Sequence, residues 1–475
     1  MVVKSSTPVN SSPLWSVKNA MLWVAPLAAL LLGLTLSHYG WSFAASVVGG
    51  STVLCALWWI FESIPIPVTS LIPLAVFPLA GAVSGEDVAL SYGNEIILLL
   101  LGGAMMSKAM EKSGAHRRIA LIMVHAFGGT SHRRLVMGFL TASAFLSMWI
   151  SNTATAVMLL PVVLAVIESA ERQGDSAKLA IALLLSIAYG SSIGGIATPI
   201  GTPTNLVFLS IYKEVTGQEK DFLQWMGLAM PVVLIMLPLT GLWLTRNLHS
   251  SSAVTIPSSG SVQTSEWRVL IIFSVTILAW MTMNTPFGGW SSWFAVPEAN
   301  YASVALVAVV LLCLCPDSKG SRLLDWEAAG SINWGVMLLF AGGLTLAGAF
   351  MKVGLSESLG NQLGALAGLP VFMLVVVICL LVTFLTEVTS NTATATLLMP
   401  IMAAAAFGAN IDPLLLMIPV TLSASCAFMM PVATPPNALV MASGHVTVAQ
   451  MAREGLVLNL LGVVVISTVV YVLLV

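Results

Sequence analysis

The hexapeptide Ser-Asn-Thr-Ala-Thr-Ala occurs twice in this chain, at 151–156 and again at 390–395, an interval of 239 residues. Each copy sits inside a long apolar stretch and places consecutive hydrogen-bonding side chains there: Ser151, Asn152 and Thr153, then Ser390, Asn391 and Thr392. Polar groups at such depth are paired or functional. A six-residue identity, once per half, therefore predicts an internal duplication with a polar site at its centre. The surroundings are membrane-like: of 475 residues 58% are apolar and 8% charged, where soluble domains carry about 25% charged residues. Mean hydropathy is +0.97. The chain reads as an all-α polytopic membrane protein. With a formal net charge of −2, nucleic-acid binding has no electrostatic basis. Cys55, Cys313, Cys315, Cys379 and Cys426 show neither disulfide nor metal-ligand spacing.

Hydropathy and turn signals predict about eleven transmembrane helices, near 20–36, 44–61, 66–84, 94–111, 178–213, 222–245, 269–286, 302–315, 334–351, 412–444 and 455–475. The stretches 134–168 and 368–402, which carry the repeated motif, are too long for one helix and are interrupted by polar residues. Each is expected to be a re-entrant hairpin, the first entering from inside the cell and the second from outside. Irregular backbone at that depth is tolerated where it is buried in protein or lines a watery cavity. The N-terminus, with Lys4 and Lys18, leads into a retained first helix instead of a cleaved leader. A cytoplasmic N-terminus and external C-terminus leave Lys213, Lys220 and Lys352 outside and the other fifteen of the 18 Lys and Arg inside, the positive-inside pattern. The polar segment 246–268 reads as a cytoplasmic linker between an N-terminal half, 1–245, and a C-terminal half, 269–475.

The duplication extends beyond the hexapeptide. Pro161 and Pro400 follow it at the same distance. Gly102-Gly103 with Lys112 and Gly114 matches Gly342-Gly343 with Lys352 and Gly354. Gly201-Thr202-Pro203-Thr204-Asn205 resembles Ala433-Thr434-Pro435-Pro436-Asn437. In this layout an odd number of spans separates the mates, so the halves have opposite orientation, the inverted-repeat pattern of secondary transporters. Proline removes a donor and clashes with the preceding turn, so Thr202-Pro203 and Thr434-Pro435 unwind the spans 178–213 and 412–444. At a hairpin tip the first helical N–H groups lack partners. With the Asn amides and the hydroxyls they offer donors to an anion, and the helix dipole favours negative charge there. Freed carbonyl and hydroxyl oxygens suit a hard cation such as Na⁺. The site has no Arg or Lys, so cations are expected to supply the compensating charge.

These paired motifs resemble the divalent anion–sodium symporters, carriers of dicarboxylates such as succinate and of citrate. The resemblance covers nearly the whole chain and includes Leu385-Thr386-Glu387-Val388-Thr389 ahead of the second motif. It implies an eleven-span protomer, a homodimer, and a transport domain that moves as an elevator against a scaffold. By resemblance, Ser151, Asn152, Thr153, Ser390, Asn391 and Thr392 hold the substrate carboxylates, with Thr202, Pro203, Thr434 and Pro435 completing the pocket. It further implies one Na⁺ site at Ser147, Ser151, Asn152 and the backbone of Gly201, and a second at Thr386, Thr389, Asn391 and the backbone of Ala433. The Asn and hydroxyl residues are also favoured by the chemistry above; the backbone ligands come from the resemblance.

Glu387 lies beside the second motif, opposite Met148 in the first. Two roles are open to it: neutralising a cation or carrying a proton, or accepting from a backbone donor near the tip. Glu62 reads as interfacial, and His116, His125 and His132 as ordinary surface residues. An enzyme is not expected, since HExxH, GxSxG and a Ser/His pair at one depth are absent from the sequence. Nor is a channel, with no TVGYG-like filter. The leading expectation is a Na⁺-coupled importer of di- or tricarboxylates (the succinate, malate, fumarate and citrate class). The alternative is a sodium-independent dicarboxylate exchanger, or a sulfate carrier, on the same fold.

Overall fold

Among the residues described by the computed structural model (17–128, 131–172, 177–248, 256, 260–285, 288–363 and 370–475), the apolar runs fold into helices and no strand forms. Ten helices there are long and apolar enough to cross a membrane, and the chain is a multi-pass membrane protein. Val17–His38 is the least buried of them, with Ala25 its one buried residue. The expected span at 66–84 is instead two helices, Ile66–Thr69 and Leu71–Leu79, broken at Ser70. The Ser70 hydroxyl turns back to the Ile66 carbonyl at 2.8 Å and accepts from the Trp59 indole at 3.2 Å. Of the linker expected at 246–268, residues 249–255 and 257–259 lie outside those described, and helix Thr264–Met281 already begins within it. Lys4 and residues 368–369 of the second hairpin also lie outside.

Both motif-bearing stretches are helix–turn–helix units. His132–Ser147 and Asn152–Glu171 form the first, Val371–Thr386 and Asn391–Ala409 the second. The two Thr-Pro spans are discontinuous, as Ala177–Gly195 then Pro203–Thr216, and Leu414–Ala424 then Pro435–Ala442. Each restart follows one rule: Thr202 and Thr434 adopt extended backbone (φ −141 and −139°), and the proline occupies the first helical turn, where its missing N–H has no partner to lose. Ala177–Gly195 comes close to its hairpin through Gly190 and Gly194. A Cβ at Gly190 would lie 2.7 Å from the Leu140 carbonyl, and one at Gly194 would run into the Ala144 carbonyl. Small residues four apart permit such approach in membranes, and the Ser143 hydroxyl donates across it to the Ile187 carbonyl at 2.7 Å.

Contacts then follow matched pairs. The first half-helix of each broken span packs on its own hairpin, whereas the second packs on the opposite one: Pro203–Thr216 on Asn391–Ala409, and Pro435–Ala442 on Asn152–Glu171. These elements, with Phe222–Thr245 and Val448–Leu474, make one bundle. The helices Phe43–Phe61, Glu95–Ser113, Thr264–Met281, Tyr301–Leu314 and Trp334–Lys352 belong to another, which meets the first directly where Trp334–Lys352 packs on Pro203–Thr216 and Asn391–Ala409. Ala115–Phe127 and Leu355–Leu363 bridge the bundles, each entered through a glycine with positive φ, Gly114 at +75° and Gly354 at +78°. Two ion pairs brace the second bundle reciprocally: Lys112 to Asp325 at 2.6 Å, and Lys352 to Asp87 at 2.8 Å.

Candidate functional site

The first hairpin turns through Met148–Trp149–Ile150–Ser151, and Ser151 caps the returning helix by accepting from the Ala154 amide at 3.2 Å. Ser147 donates its hydroxyl to Asn152 Oδ1 at 2.6 Å. In the second hairpin Thr386 does the same to Asn391 Oδ1, also at 2.6 Å. The two expected cation sets thus share one geometry: a hydroxyl at the end of the first hairpin helix touches the amide oxygen that opens the second. Two neutral oxygens this close are held by the hydroxyl proton, and a cation there would be held by the same two oxygens, moved apart, with the hydroxyl proton turned away.

Each tip also contacts the unwound connection of its own repeat. Gly195 abuts Asn152 so closely that a Cβ there would lie 2.5 Å from Oδ1, and a Cβ at Gly201 would lie 2.5 Å from the Gly195 carbonyl. Thr198 donates to the Met148 carbonyl. In the second repeat Thr386 Oγ1 reaches the Ala424 carbonyl at 3.0 Å. Thr389 Oγ1 contacts Thr394 Oγ1 at 2.6 Å, away from Asn391. Thr202, Ala433 and Thr434 are buried, Pro203, Ser390, Asn152, Asn391 and Thr392 are half-buried, and Ser151, Thr153 and Pro435 are exposed. Thr204 joins the two connections, its hydroxyl 2.8 Å from that of Ser425.

Glu387 takes the second of the roles open to it. Its carboxylate, 3% exposed, accepts from the backbone amides of Phe428, Met429 and Met430 at 2.8, 2.9 and 2.8 Å and from Asn459 Nδ2 at 2.7 Å. Four donors converging on one carboxyl group fasten the tip to the unwound segment. The surface reading of two histidines is corrected: His116 and His132 are buried, and His116 Nδ1 bonds the Met110 carbonyl at 2.7 Å. Basic neighbours in sequence concealed that each points inward. His125 is exposed.

Among the described residues no group of three His, Cys, Asp or Glu side chains gathers to hold a metal; the cation ligands on offer are hydroxyl, amide and carbonyl oxygens. A cavity of about 30 Å³, lined by Ile96, Leu99, Leu206 and Phe222 and by the charged Glu95, Glu219 and Lys220, lies beside the Lys213–Glu95 ion pair and includes none of the tip residues.

Residues 56–416 match the citrate transporter family. The chain is 39% identical over 441 residues to the sodium-dependent dicarboxylate transporter SdcS of Staphylococcus saprophyticus, covering 88% of this chain and 84% of that protein. It is 36% identical, with the same coverage, to the protein of that name from Staphylococcus aureus. Among solved structures it is similar to the YdaH transporter of Alcanivorax borkumensis, with TM-score 0.55 and 15% identity over 83% of this chain and 87% of that one. A similar likeness holds for MtrF of Neisseria gonorrhoeae, with TM-score 0.56 and 13% identity over 81% and 82%. At these identities the structural likeness speaks to fold alone.

Proposed function

As a member of the citrate transporter family this chain is a divalent anion–sodium symporter, and we propose that it imports dicarboxylates with Na⁺ through the two hairpin tips. The observation that carries this reading is the twinned contact, Ser147 with Asn152 and Thr386 with Asn391, next to unwound backbone. The full-length relatives named sodium-dependent favour symport over the exchanger alternative.

In this reading Na⁺ sits at each tip, on Ser147, Ser151, Asn152 and the Gly201 backbone, and on Thr386, Asn391 and the Ala433 backbone. Thr389, turned toward Thr394, joins the second set through a rotamer change. The cations occupy the Asn oxygens and leave the Asn N–H₂ groups, the hydroxyls of Ser151, Thr153, Ser390 and Thr392, and the free N–H groups of the helix starts facing the carboxylates. Thr202-Pro203 and Thr434-Pro435 close the pocket. Because none of these pocket residues is basic, the dianion's affinity depends on the cations, and the coupling is reciprocal. Two bound Na⁺ neutralise a dicarboxylate, which lowers the cost of carrying it past a low-dielectric barrier.

The matched packing of the two repeats supports an inverted duplication. The division into two bundles joined by the helices after Gly114 and Gly354 supports an elevator-like displacement of one against the other. The Lys and Arg distribution supports a cytoplasmic N-terminus and an external C-terminus in the cell membrane, and family resemblance supports a homodimer. The relatives are named as transporters, and we assign this chain no catalysis. Uptake of labelled succinate into proteoliposomes, with and without an inward Na⁺ gradient, tests the reading. Gradient-driven accumulation is expected. Sodium-independent uptake that needs dicarboxylate preloaded inside the vesicle would establish the exchanger instead.

A further inference from the structure

The motifs Gly201-Thr202-Pro203-Thr204-Asn205 and Ala433-Thr434-Pro435-Pro436-Asn437 each end in an asparagine that the ligand sets above leave unused. Both asparagines have no exposed surface. Asn205 Nδ2 donates to the carbonyls of Gly195 at 2.9 Å and Thr198 at 2.7 Å, with that of Ile196 at 3.3 Å. Asn437 Nδ2 donates to the carbonyls of Ala427 and Met430, both at 3.1 Å. In each case the acceptors stand ten and seven positions back along the chain. The same clasp is built twice, across the bend of each unwound connection.

The clasps do not serve stability at lowest cost, because Oδ1 of Asn205 and of Asn437 is buried with no partner among the described residues, and an unpaired buried acceptor is destabilising. Their effect is to hold irregular backbone in one conformation. In the first repeat the Gly195 carbonyl they hold belongs to the residue that abuts Asn152 Oδ1 on one side and Gly201 on the other. In the second repeat Met430 is held at both ends: its carbonyl accepts from Asn437 and from the Ala433 amide, and its own amide donates to Glu387.

Resting on the symport reading, we propose that Asn205 and Asn437 are positioning residues, one for each cation set. Neither touches Na⁺. Each fixes the backbone that brings the Gly201 or Ala433 carbonyl to the amide oxygen of its hairpin tip, so that Na⁺ affinity depends on a residue outside the ligand shell.

The test uses the full-length protein in proteoliposomes, with Asn205→Ala and Asn437→Ala, and with Asn205→Ser and Asn437→Ser, which retain one donor, should the alanine variants not fold. Hydrogen–deuterium exchange should rise in peptides covering 195–201 for the Asn205 variants and in those covering 427–433 for the Asn437 variants, without crossing over. Labelled-succinate uptake should show a half-saturating Na⁺ concentration raised by roughly fivefold or more, with maximal rate and succinate KM at saturating Na⁺ nearly unchanged. Unaltered exchange in the clasped peptide overturns the clasp. Faster exchange with unaltered Na⁺ dependence overturns the positioning role and leaves a merely structural one. Sodium-independent uptake by the unmodified protein overturns the symport reading and the role assigned to the clasps with it, and is recognised before any substitution is made.

Discussion

Thr204 and Ser425 touch hydroxyl to hydroxyl at 2.8 Å, wholly buried, and so tie the restart of the first broken span to the end of the opening half-helix of the second. The contact links the two tips through packed, hydrogen-bonded and sequence-adjacent residues. Asn152 abuts Gly195, whose carbonyl Asn205 holds next to Thr204; Ser425 follows Ala424, whose carbonyl accepts from Thr386, the partner of Asn391. A change at one tip can therefore bias the other.

Removing that contact should loosen the coupling between cations. Thr204→Val and Ser425→Ala are each expected to make Na⁺ activation of uptake less steep. A double-mutant cycle should return a coupling of about 0.5–1.5 kcal/mol, the usual net worth of one hydrogen bond. An unchanged steepness in both variants would disconnect the tips.

Glu387 should behave as a structural anchor whose loss is severe. Glu387→Ala leaves the amides of Phe428, Met429 and Met430 without their acceptor, and each buried donor left unpaired costs about 1–3 kcal/mol. Thermal unfolding of the detergent-solubilised protein, followed by tryptophan fluorescence, should show a clear drop in midpoint. Glu387→Gln should fall too, since its amide turns protons toward donors. A midpoint within a degree of the parent for both variants would refute the anchor.

At Gly195 a single methyl is enough to disturb the first tip. The Cβ of Gly195→Ala would sit 2.5 Å from Asn152 Oδ1, closer than van der Waals contact allows. The variant should lose uptake almost as fully as Asn152→Ala, with normal membrane insertion for both. Uptake near the parental level in Gly195→Ala would mean that the connection can move away from the tip.

The reciprocal lysine pairs give a charge-swap prediction. Lys112→Asp should lower the thermal midpoint, and Lys112→Asp with Asp325→Lys should recover most of it; no recovery would assign Lys112 to its other acceptors, the Arg322 carbonyl at 2.8 Å and the Ser321 hydroxyl at 3.4 Å. The hydrogen bond from Lys112 holds the Asp325 carboxyl below the usual carboxylate range. The pair's contribution is therefore fully present above the ordinary carboxylate pKa and fades as pH falls through the depressed value. A midpoint titration in acid should show a smaller fall for Asp325→Asn than for the parent.

What the sequence made legible was the part governed by local chemistry. Repetition of Ser-Asn-Thr marked both tips, and Pro203 and Pro435 marked both helix restarts, because a proline's effect on its own turn does not depend on distant residues. The break at Ser70 was missed: Pro65 and Pro67 were visible, but the Trp59 indole that meets the Ser70 hydroxyl comes from another helix. The partners of Glu387 lie 41, 42, 43 and 72 residues away, beyond any periodicity. Asn205 and Asn437 stood in the quoted motifs, yet their role appears once the chain between acceptor and donor has bent back on itself. His132 illustrates the reverse error, since Arg133 and Arg134 beside it are exposed while His132, which opens the helix, is buried.

The exchange of half-helices between repeats has a bearing on how this protein is made. Pro203–Thr216 finds its partner in Asn391–Ala409, and Asn152–Glu171 finds its own in Pro435–Ala442. A nascent chain that has delivered its first half to the bilayer holds two polar interruptions covered only by their own repeat, until nearly two hundred further residues have left the ribosome. Biogenesis must shelter these segments through that interval. A chain stopped at the midpoint should be cleared by membrane proteases, whereas the two halves produced together as separate polypeptides should rescue each other.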